Sequence, residues 1–220
     1  MNDTASLTRS VAPLCNMIAP VRTALVIIDV QVDFGAPDGH YGKIGCDLSR
    51  VEPAIDRMAE LQDAAQRAGV FTVFVRLETG PTTDSPAARE RRIRTSTDGG
   101  ARPCLADTPG TGYYRLFPRA GDVEVVKCRY SSFVNTNMEF VLKARPSLDT
   151  LVVCGLTTEC CVETTVRDAF VRDYHVFLPR DASASYRADM HDVSVDVMGQ
   201  FFATVTTTAE VTSCWKAARA

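Results

Sequence analysis

A chain of 220 residues, 45% of them hydrophobic, has enough apolar surface for one full core. Its net charge of -3 leaves no electrostatic case for nucleic acid or an anionic membrane surface as partner. No apolar run approaches the roughly 20 residues that span a bilayer. The first 20 residues lack the basic-then-apolar order of a signal peptide and read as a partly ordered arm, with residues 21–220 forming a single domain. The eight cysteines show no CxxC pair and no zinc spacing. Buried thiols in a reducing cytoplasm are expected rather than a disulfide framework.

Thr23 to Ile28 is a β-rich apolar run that ends in Asp29. A carboxylate at the C-terminal end of a buried strand is costly unless paired, and in open α/β sheets that end is where ligands sit. Asp29 is therefore read as functional, with a helix cap as the alternative, while Asp33 is expected to organise the Gly/Pro loop that follows. Val51 to Ala68 has helical periodicity, with Pro53 in the first turn and Gly69 ending it. Val70 to Val75 is a second buried strand with Arg76 at its exit. Strand, helix and strand make a βαβ unit and predict a parallel sheet.

Residues 77–122 form a long stretch of weak periodicity, the kind that serves as a lid or pocket wall. Ser85 to Arg94 is its one helical candidate. Its arginines Arg89, Arg91, Arg92 and Arg94 read as a solvated face, or one of them grips a substrate carboxylate. Val123 to Val126 is the next strand, closed by Lys127, for which pairing with Glu124 on the surface is the ordinary alternative. A helix capped by Asn135 or Thr136 runs to about Ala144. Leu151 to Cys154 is a buried strand. Gly155 to Thr158 is read as a turn, with Thr158 capping a helix that starts at Glu159 and turns Val162, Val166, Ala169 and Phe170 inward. His175 to Leu178 is a strand, and Asp189 to Phe202 a helix with Met190, Val193, Val197 and Phe201 inward. Ala203 to Thr207 is the last strand. The fold class is α/β, a three-layer α-β-α arrangement around about six parallel strands.

Cys161 falls in the first turn of a predicted helix. Unpaired N–H groups and the positive helix end there favour thiolate. It is a candidate nucleophile, or a small buried apolar residue. Asp29, Lys127 and Cys161 each stand just beyond the C-terminal end of a predicted parallel strand, so loops from neighbouring strands can bring them within roughly 3–4 Å of one another. Such a set suits nucleophilic catalysis: Cys161 attacks an electrophilic carbon, Asp29 carries the proton, Lys127 balances the charge, and backbone N–H groups of the Thr157–Cys161 turn hold an oxyanion.

The residues that carry this set resemble the isochorismatase-like cysteine hydrolase superfamily. The matching stretches are Asp29-Val30-Gln31-Val32-Asp33-Phe34, Lys127-Cys128-Arg129-Tyr130-Ser131-Ser132-Phe133, and Gly155 through Ala169. The resemblance runs from about Thr23 to Val211. It implies Asp29, Lys127 and Cys161 as a catalytic triad, a cis peptide between Leu156 and Thr157, and an oxyanion hole made by the N–H groups of Thr157 and Cys161. Gln31, Phe34, Arg76, Tyr130 and Phe133 are candidate substrate contacts. The three histidines, His40, His175 and His191, are too scattered for a nicotinamidase-type metal site. No metal and no cofactor are expected. Retention of Cys161, where isochorismatases typically have glycine, points to cleavage of a C–N bond in a small amide, carbamoyl or ureido compound, closest to ureidoacrylate-type amidohydrolases. The alternatives are vinyl-ether hydrolysis and a non-catalytic binding member of the fold. The expected partners are a small-molecule substrate and further copies of the chain, as a dimer or tetramer, in the cytoplasm.

Overall fold

The structure is a computed structural model that describes residues 13–96 and 99–218. A short helix α1 (Leu14–Met17) leads into β1 (Thr23–Ile28), all six residues of which are buried. Two four-residue helices, α2 (Val32–Gly35) and α3 (His40–Lys43), fill the loop before the long helix α4 (Val51–Ala68). Gly69 ends α4 with φ 73°, and its N–H closes on the Ala65 and Gln66 carbonyls; glycine adopts that left-handed conformation without a side-chain clash. Then follow β2 (Phe71–Leu77), α5 (Pro86–Thr95), β3 (Val123–Lys127), α6 (Met138–Lys143) and β4 (Thr150–Leu156). The second half holds α7 (Glu163–Phe170), β5 (His175–Pro179), a two-residue β6 (Ser183–Ala184), α8 (Ala188–Phe201), β7 (Thr204–Thr206) and α9 (Thr208–Ala217).

Every strand pairing is parallel. The order is β3-β2-β1-β4-β5-β7, with β6 added beside the C-terminal end of β4. The expected sheet of about six strands is thus present, with β6 as a seventh. Strands at the centre read as unbroken apolar runs because helices cover both faces. On one face, Leu25, Ile27 and Phe74 pack with α4 and with Trp215 of α9. On the other, Ala24, Val26 and Ile28 pack with residues of α6, α7 and α8, among them Met138, Val166 and Met198.

The structure departs from expectation at the cysteines, in α8 and at Phe170. Cys15 and Cys214 form a disulfide, which leaves Cys46, Cys104, Cys128, Cys154, Cys160 and Cys161 as free thiols. The N-terminal arm is packed from residue 13 onward: Ile18 is fully buried and its carbonyl accepts from the Trp215 indole N–H at 2.9 Å. Residues 1–12 of that arm lie outside the described residues. Helix α9 follows β7 with a full capping box between Thr207 and Glu210, a Thr-x-x-Glu signal left unread in the sequence. In α8 the buried side chains are His191, Ser194, Val195 and Met198. Met190, Val193 and Phe201, expected inside, are exposed, Val193 by 62%. Phe170 of α7 also faces out. Among the described residues no helix is long and apolar enough to cross a membrane.

Candidate active site

Asp29 directly follows β1 and takes φ 55°. Aspartate is one of the few residues that enter the left-handed region at modest cost. Its N–H donates to the Val75 carbonyl at 2.8 Å and its own carbonyl accepts from Gln31 at 2.9 Å. The chain is thereby pinned over the end of β2. Lys127 is the last residue of β3, and β2 lies between it and β1. The two ends are therefore about 10 Å apart, not the single strand spacing of 4.8 Å. A lysine is long enough to cross the intervening strand.

Its side chain does so. The Lys127 Nζ lies 2.7 Å from Asp29 Oδ2, and both side chains are fully excluded from solvent. The same ammonium donates to Cys161 Sγ at 3.3 Å and to the Arg129 carbonyl at 3.1 Å. A buried ammonium needs such partners: here one ion pair and two hydrogen-bond acceptors. Glu124, the ordinary partner considered for Lys127, instead pairs with Arg76 at 3.1 Å and accepts from Tyr113 at 2.7 Å.

The turn bearing Cys161 differs from the expected helix start. Strand β4 runs on to Leu156, and the Leu156–Thr157 peptide is cis. Thr157 is the N-cap, and Thr158–Val162 form one π-helical turn before α7 begins. The Val162 N–H reaches the Thr157 carbonyl five residues back, at 3.3 Å. Single π turns of this kind occur often at functional sites. The wider turn sets Cys161 beside Lys127, while Cys160 stays half-buried next to it. Helix α8 holds the turn from outside the sheet. His191 Nδ1 and Thr158 Oγ1 are 2.8 Å apart, and the Ser194 hydroxyl reaches Glu163 Oε2 at 2.5 Å.

Burial pushes the Asp29 carboxyl above its ordinary range, opposed by the adjacent Lys127 charge. Burial pulls Lys127 down, but the negative charges of Asp29 and Cys161 and their hydrogen bonds carry it above its usual value. A hydrogen bond with Cys160, burial and the Asp29 charge hold the Cys161 thiol well up, against the pull of Lys127. The expected lowering by the helix N-terminus does not prevail. A thiol held up in this way keeps its proton more tightly than a free one, so the reaction needs a neighbouring group to take it.

The candidate contacts sort by what already holds them. Gln31 is fully buried and braces loops: its Nε2 donates to the Leu77 and Thr111 carbonyls and its Oε1 accepts from the Leu77 N–H. Phe34 packs in the core and stacks on Tyr41. Arg76 is tied to Glu78 and Glu124. Phe133 is buried under the Arg172 guanidinium. Tyr130 is exposed, yet close enough to Cys160 and Cys161 for their charge to weaken its acidity after burial has done so. Two further tyrosines went unread. Burial, and then the charges of Cys160 and Cys161, raise Tyr41. Tyr113 is raised by burial and by Glu124, and Asp29 also acts on it. Tyr41 sits in the four-residue helix α3 and Tyr113 in the loop before β3, both too short or irregular for periodicity to mark them. Asp33 does organise its loop, accepting from the His40 and Cys104 N–H groups at 3.0 and 2.6 Å. Among the described residues no group of three or more His, Cys, Asp or Glu is placed to hold a metal ion.

The family profile described as the Isochorismatase domain matches residues 23–210. The chain belongs to the isochorismatase family. It is 31% identical over 184 residues to the ureidoacrylate amidohydrolase RutB of Azorhizobium caulinodans, covering 76% of this chain and 78% of that one. It is 30% identical over 217 residues to the RutB of Rhizobium rhizogenes, covering 92% and 87%. A cysteine hydrolase from Pseudomonas syringae pv. phaseolicola superposes with a TM-score of 0.79 at 30% identity, over 92% of this chain and 96% of that one. The N-carbamoylsarcosine amidase of Thermoplasma acidophilum superposes with a TM-score of 0.69 at 27% identity, over 85% and 96%. The enzyme class these relations support is a cysteine hydrolase acting on C–N bonds other than peptide bonds.

Proposed function

We propose that this chain hydrolyses the C–N bond of a small ureido or carbamoyl acid, using Asp29, Lys127 and Cys161 as one catalytic unit. The observation that carries the reading is the buried contact of all three: an ammonium 2.7 Å from a carboxylate and 3.3 Å from a thiol. Asp29 takes the thiol proton as Cys161 Sγ forms a bond to the carbonyl carbon. The N–H groups of Thr157 and Cys161 receive the oxyanion. The C–N bond then breaks as Asp29 returns the proton to the departing nitrogen, leaving an S-acyl or S-carbamoyl enzyme. Water attacks that carbon, Asp29 takes its proton, and the thiol is restored as the acid product leaves. Lys127 stays protonated throughout and offsets the negative charge as it moves between carboxylate, sulfur and oxyanion.

Two features favour a ureido acid within this class. The relatives named above act on ureidoacrylate and N-carbamoylsarcosine. On α5, Arg89 and Arg91 make no side-chain hydrogen bond or ion pair among the described residues, and Arg91 also acts on Tyr130 beside the two cysteines, which places its guanidinium to meet a substrate carboxylate. Arg92, by contrast, is committed to Asp84, and Arg94 to Glu90.

The test is mass spectrometry of enzyme quenched during turnover of a panel of ureido acids, carbamoyl compounds and simple amides, with ammonia release measured in parallel. An adduct on Cys161 and loss of turnover by roughly a thousandfold or more in Cys161→Ala are expected, since members of a catalytic unit fail together. Full turnover in Cys161→Ala would sink this mechanism and favour vinyl-ether hydrolysis.

A further inference from the structure

On the far side of β4 from Lys127, a cleft of about 420 Å³ opens between the start of α4, the exit of β5 and the first turns of α8. Arg50, Arg180, Ser183, His191 and Asp192 line it, and none of Asp29, Lys127 and Cys161 does. The volume lies within the range of about 300–1,000 Å³ typical of small-molecule sites.

Its polar groups are unevenly satisfied. Ser183 is 5% exposed, and its hydroxyl has no hydrogen-bond partner. A buried hydroxyl left in that state costs free energy that a ligand atom would recover. Arg50, the N-cap of α4, makes no ion pair or side-chain hydrogen bond among the described residues. Arg180 reaches Asp192 only at 3.4 Å, with both side chains half-exposed. The other carboxylate of the cleft, Asp181, already accepts from the Thr208 N–H and hydroxyl at the start of α9. Formal charges balance, so the cleft does not attract anions in general. Both carboxylates are engaged, and one guanidinium and one hydroxyl are not.

We propose that this cleft is a second binding site, for a small molecule carrying a carboxylate, and that its occupancy is felt at the catalytic turn. The carboxylate meets Arg50 and Arg180, and an oxygen of the same ligand satisfies Ser183. The link to the catalytic turn is His191, a wall of the cleft whose Nδ1 is 2.8 Å from the Thr158 hydroxyl in the turn that carries Cys161. A ligand that shifts this ring shifts Thr158, and with it the placement of the Cys161 thiol.

Titration calorimetry with succinate tests the site, with sodium chloride at matched ionic strength as control. The same titration is run on protein whose Cys161 has been alkylated, which fills the catalytic pocket. Saturable succinate binding is expected in both forms. Arg50→Ala should weaken it by about tenfold or more, the scale of one charge-assisted contact, and Ser183→Ala should weaken it less. Absence of a saturable isotherm, or binding that survives Arg50→Ala and disappears on alkylation, overturns the proposal. The coupling has its own readout. Saturating succinate should change the rate at which iodoacetamide labels Cys161 in the wild type but not in Arg50→Ala, and a rate indifferent to succinate refutes the link through His191.

Discussion

The Asp29–Lys127 pair sets the chemistry of the site and also a large local stake in stability. Two buried charges tolerate each other's removal poorly, because the remaining one stays desolvated. Loss of one partner typically costs about 3–5 kcal/mol, whereas replacing both is often near neutral. Lys127→Met should therefore lower the urea stability of the protein by that order, and Asp29→Asn/Lys127→Met should recover much of it while remaining inactive. If the double variant is as unstable as the single one, the ion pair is not what holds this end of the sheet. The same geometry fixes a pH dependence. Asp29 must be ionised to take the thiol proton, and burial raises its pKa. The acid limb of kcat/KM should accordingly lie above the ordinary aspartate value of about 3.9, with activity rising as pH rises through it. An acid limb at or below the ordinary value would mean that Lys127 outweighs burial. Convergence of the three residues was legible because each stands at a strand end. The resting thiol was not legible, since it depends on burial and on the Cys160 contact, which no spacing reveals.

At the level of single elements, the strands and the long helix α4 follow directly from their apolar patterns, and α8 shows where such reasoning fails. Its sequence offers two faces. One, with Met190, Val193 and Phe201, points to solvent, while His191, Ser194, Val195 and Met198 point inward. That inward face meets the apolar core through Val195 and Met198 and, through His191 and Ser194, a π turn with a threonine hydroxyl and the Glu163 carboxylate, which need hydrogen-bond partners. A hydrophobic-face rule assumes an apolar neighbour and so chooses the wrong register here. Val193→Thr should then change stability by no more than about 0.5 kcal/mol, as surface substitutions do. Ser194→Val should cost about 1–3 kcal/mol, the range for leaving a buried partner unsatisfied. Equal effects in chemical denaturation would return Val193 to the core. Helix α5 was legible as a helix, but its anchor was not. Asp84 accepts from Arg92 and Arg102, and these two guanidinium groups hold its carboxyl far below the usual range. A depressed carboxyl stabilises the folded form at pH above its unfolded value of about 4 and loses that contribution as pH falls below it. Hydrogen exchange along α5, taken relative to the intrinsic rate at each pH, should accelerate in that window in the wild type. In Asp84→Asn it should be fast at all pH values, and a wild-type α5 that stays protected at low pH would show that the clamp is not what orders it.

For the whole molecule, the cysteine inventory was the least legible feature. Scattered cysteines and the absence of CxxC pairs carry no information about a bridge between residues 199 positions apart. The bridge becomes intelligible only once the chain is folded. The segment before β1 and the end of α9 meet at the N-terminal edge of the sheet, where Trp215 already donates to the Ile18 carbonyl. The catalytic groups stand at the opposite, C-terminal edge. Closing almost the entire chain into a loop restricts the unfolded ensemble strongly, on the order of 5 kcal/mol in the chain-entropy account. Two consequences separate cleanly. Cys15→Ser/Cys214→Ser should lower the unfolding midpoint by several degrees or more, while kcat/KM at 25 °C stays close to that of the parent, because α9 remains docked on α4 by Trp215 and its neighbours. Thiol titration of the unfolded, unreduced protein should then count six free thiols, against eight after reduction. Eight thiols without reduction would show that the pair is not bridged, and an unchanged midpoint in the double variant would show that the bridge adds no stability beyond what the Trp215 anchor already supplies.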